Sequence, residues 1–339
     1  MRKRDVSKEI NNSNLVQNEI VKNESLIDQI NSIMENSKNN SSNKIINSGF
    51  FKNNAQLLNT LQSQKNIAAN RNKYLHAEKE NIRKKIIENN LKKIKAEEKE
   101  LEQVHHPNYL KLAQKDIISG RSTLSTGDTQ ICTDSWNIAL RATGGLMQGI
   151  DEIFSDRLRR VFSLSRPPGH HATPSKGMGF CILNHIAIAA RYAQKKYKVG
   201  KILIVDWDVH HGNGTQDVFY EDESVFFCST HQHPWYPGTG STEETGSGKG
   251  LGSTLNFPFP AGTGRKDLVE GALGEDLSKR INAFKPELIL ISAGFDSREG
   301  DPLGQFKLTD QDFFDLTKHF IELANSFCDG RILSVFEGG

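Results

Sequence analysis

The run Asp206-Trp207-Asp208-Val209-His210-His211-Gly212-Asn213-Gly214 sets a carboxylate and an imidazole, Asp208 and His210, two residues apart. In an extended segment such a pair points to one side, and together they make two thirds of a mononuclear zinc site. Asp296, in Ser292-Ala293-Gly294-Phe295-Asp296, is a candidate third ligand. Three protein ligands leave a position for water and a substrate carbonyl, the arrangement of a catalytic rather than a structural zinc. A second segment, Arg166-Pro167-Pro168-Gly169-His170-His171-Ala172, carries adjacent histidines. Beside a metal water, one imidazole can take a proton while the other stays protonated or steadies the oxyanion. Asp206 and Asn213 are each available to accept an Nδ1–H. A carboxylate partner raises imidazole basicity more than an amide does. His171, facing Asn213, is therefore expected to have the lower pKa and to act as the base, with His170 on Asp206.

A bare Asp-x-His or His-His pair is ordinarily structural; the nine-residue run and the convergence of several segments set this case apart. Phe180 (in Gly179-Phe180-Cys181) and Tyr236 (in Trp235-Tyr236-Pro237-Gly238-Thr239-Gly240) are aromatics on Gly- and Pro-rich loops, suited to the walls of a narrow apolar tunnel. Leu303 is an apolar residue on the loop after Asp296. Asp128, in Ser125-Thr126-Gly127-Asp128, can hold a substrate backbone N–H. Cys132, Cys181, Cys228 and Cys328 form no Cys-x-x-Cys pair, which favours a reducing compartment and argues against a cysteine-built zinc site.

These residues must be carried by elements. Short apolar runs at 161–164, 202–205, 225–228, 288–291 and 332–335 read as buried parallel strands, with helices near 134–152, 182–197, 267–283 and 309–327, the last capped by Thr309. Such alternation predicts an α/β fold with a doubly wound parallel sheet. The histidine pair, the Asp206–His211 run, Ser229–His231 and Asp296 each follow a different strand, at the carboxyl edge where open α/β sheets bind ligands.

The composition is uneven. Residues 1–103 hold twenty Asn and one Gly, with no Pro, Trp or Cys, and carry 19 basic against 13 acidic residues, or +6. Residues 104–339 carry 24 against 28, or −4, so the net +2 predicts no nucleic-acid partner. The reading is an Asn/Lys-rich low-complexity arm over 1–103, with a helix near 68–103 bearing a loose stripe of Leu75, Ile82, Ile86, Leu91, Ile94 and Leu101, and then a catalytic domain over 104–339. No signal peptide and no membrane span is visible, so a soluble intracellular protein is expected.

From His105-His106-Pro107-Asn108-Tyr109 to Gly339, the chain resembles the arginase/deacetylase superfamily, and within it the class II histone deacetylases and related bacterial deacetylases. The segments 166–172, 206–216 and 292–296 carry the resemblance, with Asn213 and Pro-Pro-Gly-His-His matching class II. It implies a three-layer αβα fold, and hydrolysis of the amide of acylated lysine. It implies zinc on Asp208, His210 and Asp296, and His170 and His171 as the catalytic pair with Asp206 and Asn213 behind them. Phe180 and Tyr236 would be tunnel walls, Asp128 the rim residue, and Leu303 and Gly338 substrate-binding positions. A monovalent cation, potassium, would sit near Asp206, Asp208, His210, Ser229 and Thr230. The implied partners are acetylated proteins such as histone tails, and corepressor-type proteins, in nucleus or cytoplasm. Leu303 matches a position that is acidic in the polyamine-preferring member, which favours acyl-lysine. The family places its catalytic Tyr directly after a Glu-Gly-Gly like 337–339, so the resemblance implies a catalytic domain cut short and weakly active. Residues 1–103 show no match to the family's first strand. The rival readings are an inert acetyl-lysine-binding scaffold, an acetylpolyamine amidohydrolase, and an arginase-like binuclear manganese hydrolase.

Overall fold

The structure is a computed structural model. It describes residues 95–339 continuously, and before them helical residues 62–63 and 65–81 and a few helical positions between 18 and 31. Two compact units divide at Lys93/Ile94. In the first unit, Leu75 is a buried position of the 65–81 helix. Ile82, Ile86, Leu91 and Ile94 of the expected stripe lie outside the described residues.

The second unit is built on one sheet of six parallel strands: β1 (Arg160–Ser163), β2 (Ile202–Asp206), β3 (Val225–Gln232), β4 (Thr254–Phe259), β5 (Leu288–Ala293) and β6 (Ile332–Phe336), in the order β1-β6-β5-β2-β3-β4. The central strands β2, β3 and β5 are buried at every position because both faces are covered, and their first halves are apolar. Ile202, Ile204, Val225, Phe227, Leu288 and Leu290 enter one core; Leu203, Val205, Phe226, Cys228, Ile289 and Ile291 enter the other. This period-two division between two cores is what a helix–sheet–helix sandwich demands.

On the first face lie α1 (Glu98–Leu101), α2 (Pro107–Ile118), α3 (Ser135–Phe154) and α4 (His185–Tyr197), contributing Leu101, Leu110, Ile150 and Ile186 among others. On the second lie a π-helical turn (Lys266–Asp276) running into α6 (Leu277–Phe284), and α7 (Asp310–Phe327), contributing Leu273, Ile281, Leu316 and Phe320. Between β2 and β3, α5 (Asn213–Phe219) is a short helix that begins at a site residue. Thr309 caps α7 as expected, its hydroxyl accepting from Asp312 N–H. No helix among the described residues is long and apolar enough to cross a membrane.

Three sequence expectations are corrected. The expected helix over 68–103 is interrupted: Glu97 is extended (φ −95°, ψ 162°), and Glu100 Oε2 accepts its N–H at 3.0 Å, starting α1 afresh. Ala96 and Leu101 belong to the same core as the residues after 104, so the break at 103/104 falls inside a packed region. Strand β4 went unread because Thr-Leu-Asn-Phe-Pro-Phe lacks a continuous apolar run; its Pro258 is tolerated on a sheet edge, where a ladder donor is dispensable. β3 continues four residues past Cys228, because pairing with β4 and internal bonds such as Ser229 Oγ to His231 Nδ1 (3.0 Å) satisfy its polar end.

Two buried histidines lock the first face to the loops beneath the sheet edge. His105 Nδ1–H donates to Thr173 O (3.0 Å), while its Nε2 accepts Asn184 N–H (2.9 Å), so the ring must be neutral. His185 lies between Thr143 Oγ1 (2.7 Å) and Pro167 O (3.2 Å). Burial lowers both rings from 6.5 to about 4. Between those values the unfolded chain binds protons that the folded one does not, so stability is intact above 6.5 and is lost as pH falls toward 4. Each ring contributes roughly 3 kcal/mol to that loss. The free energy of urea unfolding should therefore fall steeply between pH 6.5 and 4, and less steeply in a His105→Gln variant; equal slopes would show that His105 is not held neutral.

Candidate active site

At the carboxyl edge of the sheet, β2 ends in Asp206 and the chain turns through Asp208 and His210, while β5 leads into Asp296. The ligand atoms of Asp208, His210 and Asp296 all lie within 4.8 Å of one another. His210 Nδ1 is 3.0 Å from Asp208 Oδ1 and 3.2 Å from Asp296 Oδ2. Both carboxylates are buried. Backbone donors fix them: His210 N–H on Asp208 Oδ1 (2.9 Å), Gly338 N–H on Asp208 Oδ2 (2.8 Å), and Val209 N–H on Asp296 Oδ1 (2.9 Å). Two glycines permit this crowding. A Cβ on Gly294 would come within 2.2 Å of Asp208 Oδ2, and one on Gly338 within 2.1 Å of Asp296 Oδ2.

Burial, and then the Asp208 charge, push Asp296 up to about 7. Burial also works to raise Asp208, but His170 and His210 beside it hold it well below the carboxylate range. Burial opposes the charge on His210, yet its bonds to Asp208 and Asp296 raise it to about 9. Two carboxylate oxygens and one imidazole nitrogen, pre-gathered and buried, form a donor set that fits a divalent cation such as zinc. It is the only such set among the described residues.

The histidine pair stands over this triad, ring centroids 4.0 Å apart. His170 Nδ1 bonds Asp206 Oδ2 at 2.8 Å, and His171 Nδ1 bonds Asn213 Oδ1 at 2.8 Å. Both Nδ1 atoms are thus committed, leaving the Nε2 atoms free for chemistry; His170 Nε2 is 3.9 Å from Asp208 Oδ2. An amide oxygen can only accept, so Asn213 forces the proton of neutral His171 onto Nδ1 and leaves a lone pair on Nε2. Burial lowers His171 well below 6.5, and the neighbouring His170 adds to this. Burial opposes charge on His170 too, but Asp206, Asp208 and Glu337 overcome it and raise that ring well above 6.5. The two imidazoles are pushed apart in the directions expected from their partners.

A cavity of about 500 Å³ leads to these groups, lined among others by Asp128, Phe180, Trp235, Tyr236, Leu303 and Gly338. Tyr236 packs edge-on against His171, centroids 5.1 Å apart at 84°. Phe180 is held in a left-handed conformation (φ 66°) and stays 58 % exposed, an apolar surface kept free of packing partners. Asp128 accepts Gly179 N–H at 2.7 Å, tying the Phe180 loop to the rim, and its charge, after burial, helps raise the Tyr236 hydroxyl above its ordinary pKa. Ser229 and Thr230 are buried on β3, with Ser229 beside Asp206 in the sheet register.

Not every nearby polar residue joins the triad. His211 turns away to Thr239 Oγ1 (2.8 Å) and Gln216 Oε1 (3.1 Å), steadying the 235–240 loop. Arg298 pairs with Asp310 on the surface. His211 is thus spent elsewhere, and Arg298, two residues after Asp296, offers a second metal no ligand. Sequence reasoning missed Glu337 as a site residue. It is fully buried and accepts from Gly169 N–H (2.6 Å), His170 N–H (3.2 Å) and Ser292 Oγ–H (2.9 Å). Arg166, which lines the cavity, donates to the Glu337 carbonyl. An acidic residue directly after an apolar strand was the available signal.

The profile of the histone deacetylase domain matches residues 61–339. The chain belongs to the histone deacetylase family. The match begins well before residue 104, so the sequence reading placed the start of the family resemblance too late. The deacetylase is 39 % identical over 249 residues to a "Probable deacetylase" of Archaeoglobus fulgidus, covering 74 % of this chain and 68 % of that protein. It is 42 % identical to "Histone deacetylase 14, chloroplastic" of Arabidopsis thaliana, covering 63 % of this chain and about half (52 %) of that one. A crystal structure of the HDA15 HD domain superposes with a TM-score of 0.68 at 37 % identity, covering 72 % of this chain and 70 % of that one. The three-layer fold of this chain is therefore shared with a histone deacetylase domain.

If Asp208, His210 and Asp296 form one metal centre, Asp208→Ala or His210→Ala should abolish bound zinc in elemental analysis of the purified protein. Stoichiometric zinc in a variant lacking all three side chains would sink the assignment.

Proposed function

We propose that this deacetylase is a zinc-dependent hydrolase of acyl-lysine amides in proteins, of the class II type suggested by Asn213 and the Pro-Pro-Gly-His-His segment. The observation that carries the reading is the pair of buried imidazoles, one backed by a carboxylate and one by an amide, over three gathered metal-type donors at the end of an aromatic-walled cavity. When bound, zinc would polarise the substrate carbonyl and lower the pKa of water.

The chain's own residues supply the rest. Phe180, Trp235 and Tyr236 accept the apolar stem of an acyl-lysine and exclude bulk water. Asp128 receives a substrate backbone N–H at the rim. His171, with its lone pair at Nε2, takes the proton of the attacking water. His170, kept cationic by Asp206, offers Nε2–H to the developing oxyanion and then gives that proton to the leaving amine; return of the proton held by His171 to His170, directly or through solvent, restores the pair. A potassium ion fits Asp206, Asp208, His210, Ser229 and Thr230; in its favour, the buried Thr230 hydroxyl has no hydrogen-bond partner among the described residues.

His171→Ala and His170→Ala should each lower kcat on an acetyl-lysine peptide by roughly 10²-fold or more, with zinc content unchanged. Turnover within a few-fold of wild type for His171→Ala would remove it as the base.

Relatives of 38 % and 36 % identity are named "Polyamine deacetylase HDAC10", from Rattus norvegicus and Homo sapiens, so the substrate class needs its own test. Leu303, half exposed at the cavity wall, offers a primary or secondary amine no carboxylate. The acetyl-lysine peptide should therefore show a higher kcat/KM than acetylspermidine, and Leu303→Glu should shift the ratio toward the polyamine. A wild-type preference for acetylspermidine would overturn the protein-substrate reading.

A further inference from the structure

The segment after β6 touches every limb of the site. Glu337 N–H donates to Ala293 O (3.2 Å), continuing the sheet ladder one residue beyond the strand. The Glu337 side chain then turns beneath the histidine loop. Oε2 accepts Gly169 N–H (2.6 Å) and His170 N–H (3.2 Å), and Oε1 accepts Ser292 Oγ–H (2.9 Å) from the last turn of β5. Gly338 N–H holds Asp208, and Gly338 C=O receives Phe295 N–H (2.8 Å) next to Asp296. The carbonyl side of the loop is held by Thr215 N–H on His170 O (3.1 Å) and Ala172 N–H on Gly169 O (3.0 Å), while among the described residues Glu337 alone meets its two backbone N–H groups.

We propose that Glu337 is a positioning residue for the acid–base pair, setting the height and tilt of His170 over the metal ligands through the Gly169 and His170 backbone N–H groups. This rests on the reading of His170 and His171 as that pair. The three contacts need reach and acceptor geometry, and the charge that Glu337 lends to His170 ranks behind those of Asp206 and Asp208. A glutamine in the same rotamer keeps an oxygen for the two N–H groups and turns its amide toward Ser292 Oγ, which can accept. An aspartate keeps the charge but is one methylene short and cannot span to the loop. If the tether slackens, His170 Nδ1 leaves its 2.8 Å bond to Asp206, and small misplacements of catalytic groups can cost up to about 10²-fold in rate.

The crossed pair Glu337→Gln and Glu337→Asp separates reach from charge, and both changes are mild enough to keep the fold, checked by circular dichroism and zinc content. Two readouts apply to the full chain. The first is the downfield imidazole N–H resonance of the His170–Asp206 bond, seen by proton NMR with His170→Ala as the assignment control. The second is steady-state kinetics on an acetyl-lysine peptide. Glu337→Gln should keep the resonance and stay within about threefold of the wild-type kcat. Glu337→Asp should shift or lose the resonance and drop kcat by about tenfold or more with KM unchanged. Wild-type behaviour of both variants would overturn the proposal, as would loss in Glu337→Gln alone, which would assign the role to charge, or loss in both, which would show that reach without charge does not position His170. A wild-type chain that binds neither zinc nor acetyl-lysine peptide would count against the proposed function, while the resonance would still decide the tether.

Discussion

Four carboxylates, those of Asp206, Asp208, Asp296 and Glu337, are buried together at one edge of the sheet. Each would cost several kcal/mol to bury unmet, and much of the local architecture consists of the donors that meet them. Asp206 receives His170 Nδ1–H and Asp208 N–H; Asp208 receives His210 and Gly338; Asp296 receives Val209 and approaches His210; Glu337 receives Gly169, His170 and Ser292. The donors are mainly backbone N–H groups and imidazoles. No lysine or arginine side chain is among them, so the cluster keeps a negative excess suited to a bound cation.

The sheet makes that concentration tolerable. Parallel strands end side by side, and their apolar bodies are divided between two cores that hold them rigid. The loops can then be short and crowded: Gly294 and Gly338 lie where no Cβ would fit. His105 and His185 extend the same logic outward, binding α2 and α4 to the loops that carry the histidine pair.

Much of this was legible in the chain. The central strands announce themselves because both faces are buried, so Asp208 and His210 could be read from their spacing and Asp296 from its place after a strand, while the pairing of His170 with Asp206 and His171 with Asn213, 36 and 42 residues apart, followed from the acceptors available. What escaped lacked a local signature. β4 mixes polar residues and Pro258 on an edge, α2 was hidden behind a histidine-rich turn, and the 95–97 break in the expected long helix depends on a cap formed three residues on. Glu337 is the sharpest case. Its significance comes from contacts with Gly169 and His170, 168 and 167 residues earlier, which no window of sequence displays.

The strand order also governs assembly. Among the described residues β1 has one neighbour in the sheet, β6, and their paired residues Arg160 and Ile332 are separated by most of the domain. As the chain leaves the ribosome, β2, β3 and β4 can pair in the order they emerge, and β5 can add beside β2. Among the described strands β1 is made first, yet its partner β6 is made last, so β1 has nothing to pair with until β6 emerges, and the loop carrying both histidines waits with it. Such long-range pairing is slow. Until it closes, a nascent chain can gather Asp208, His210 and Asp296 without yet owning the imidazoles that would make them reactive.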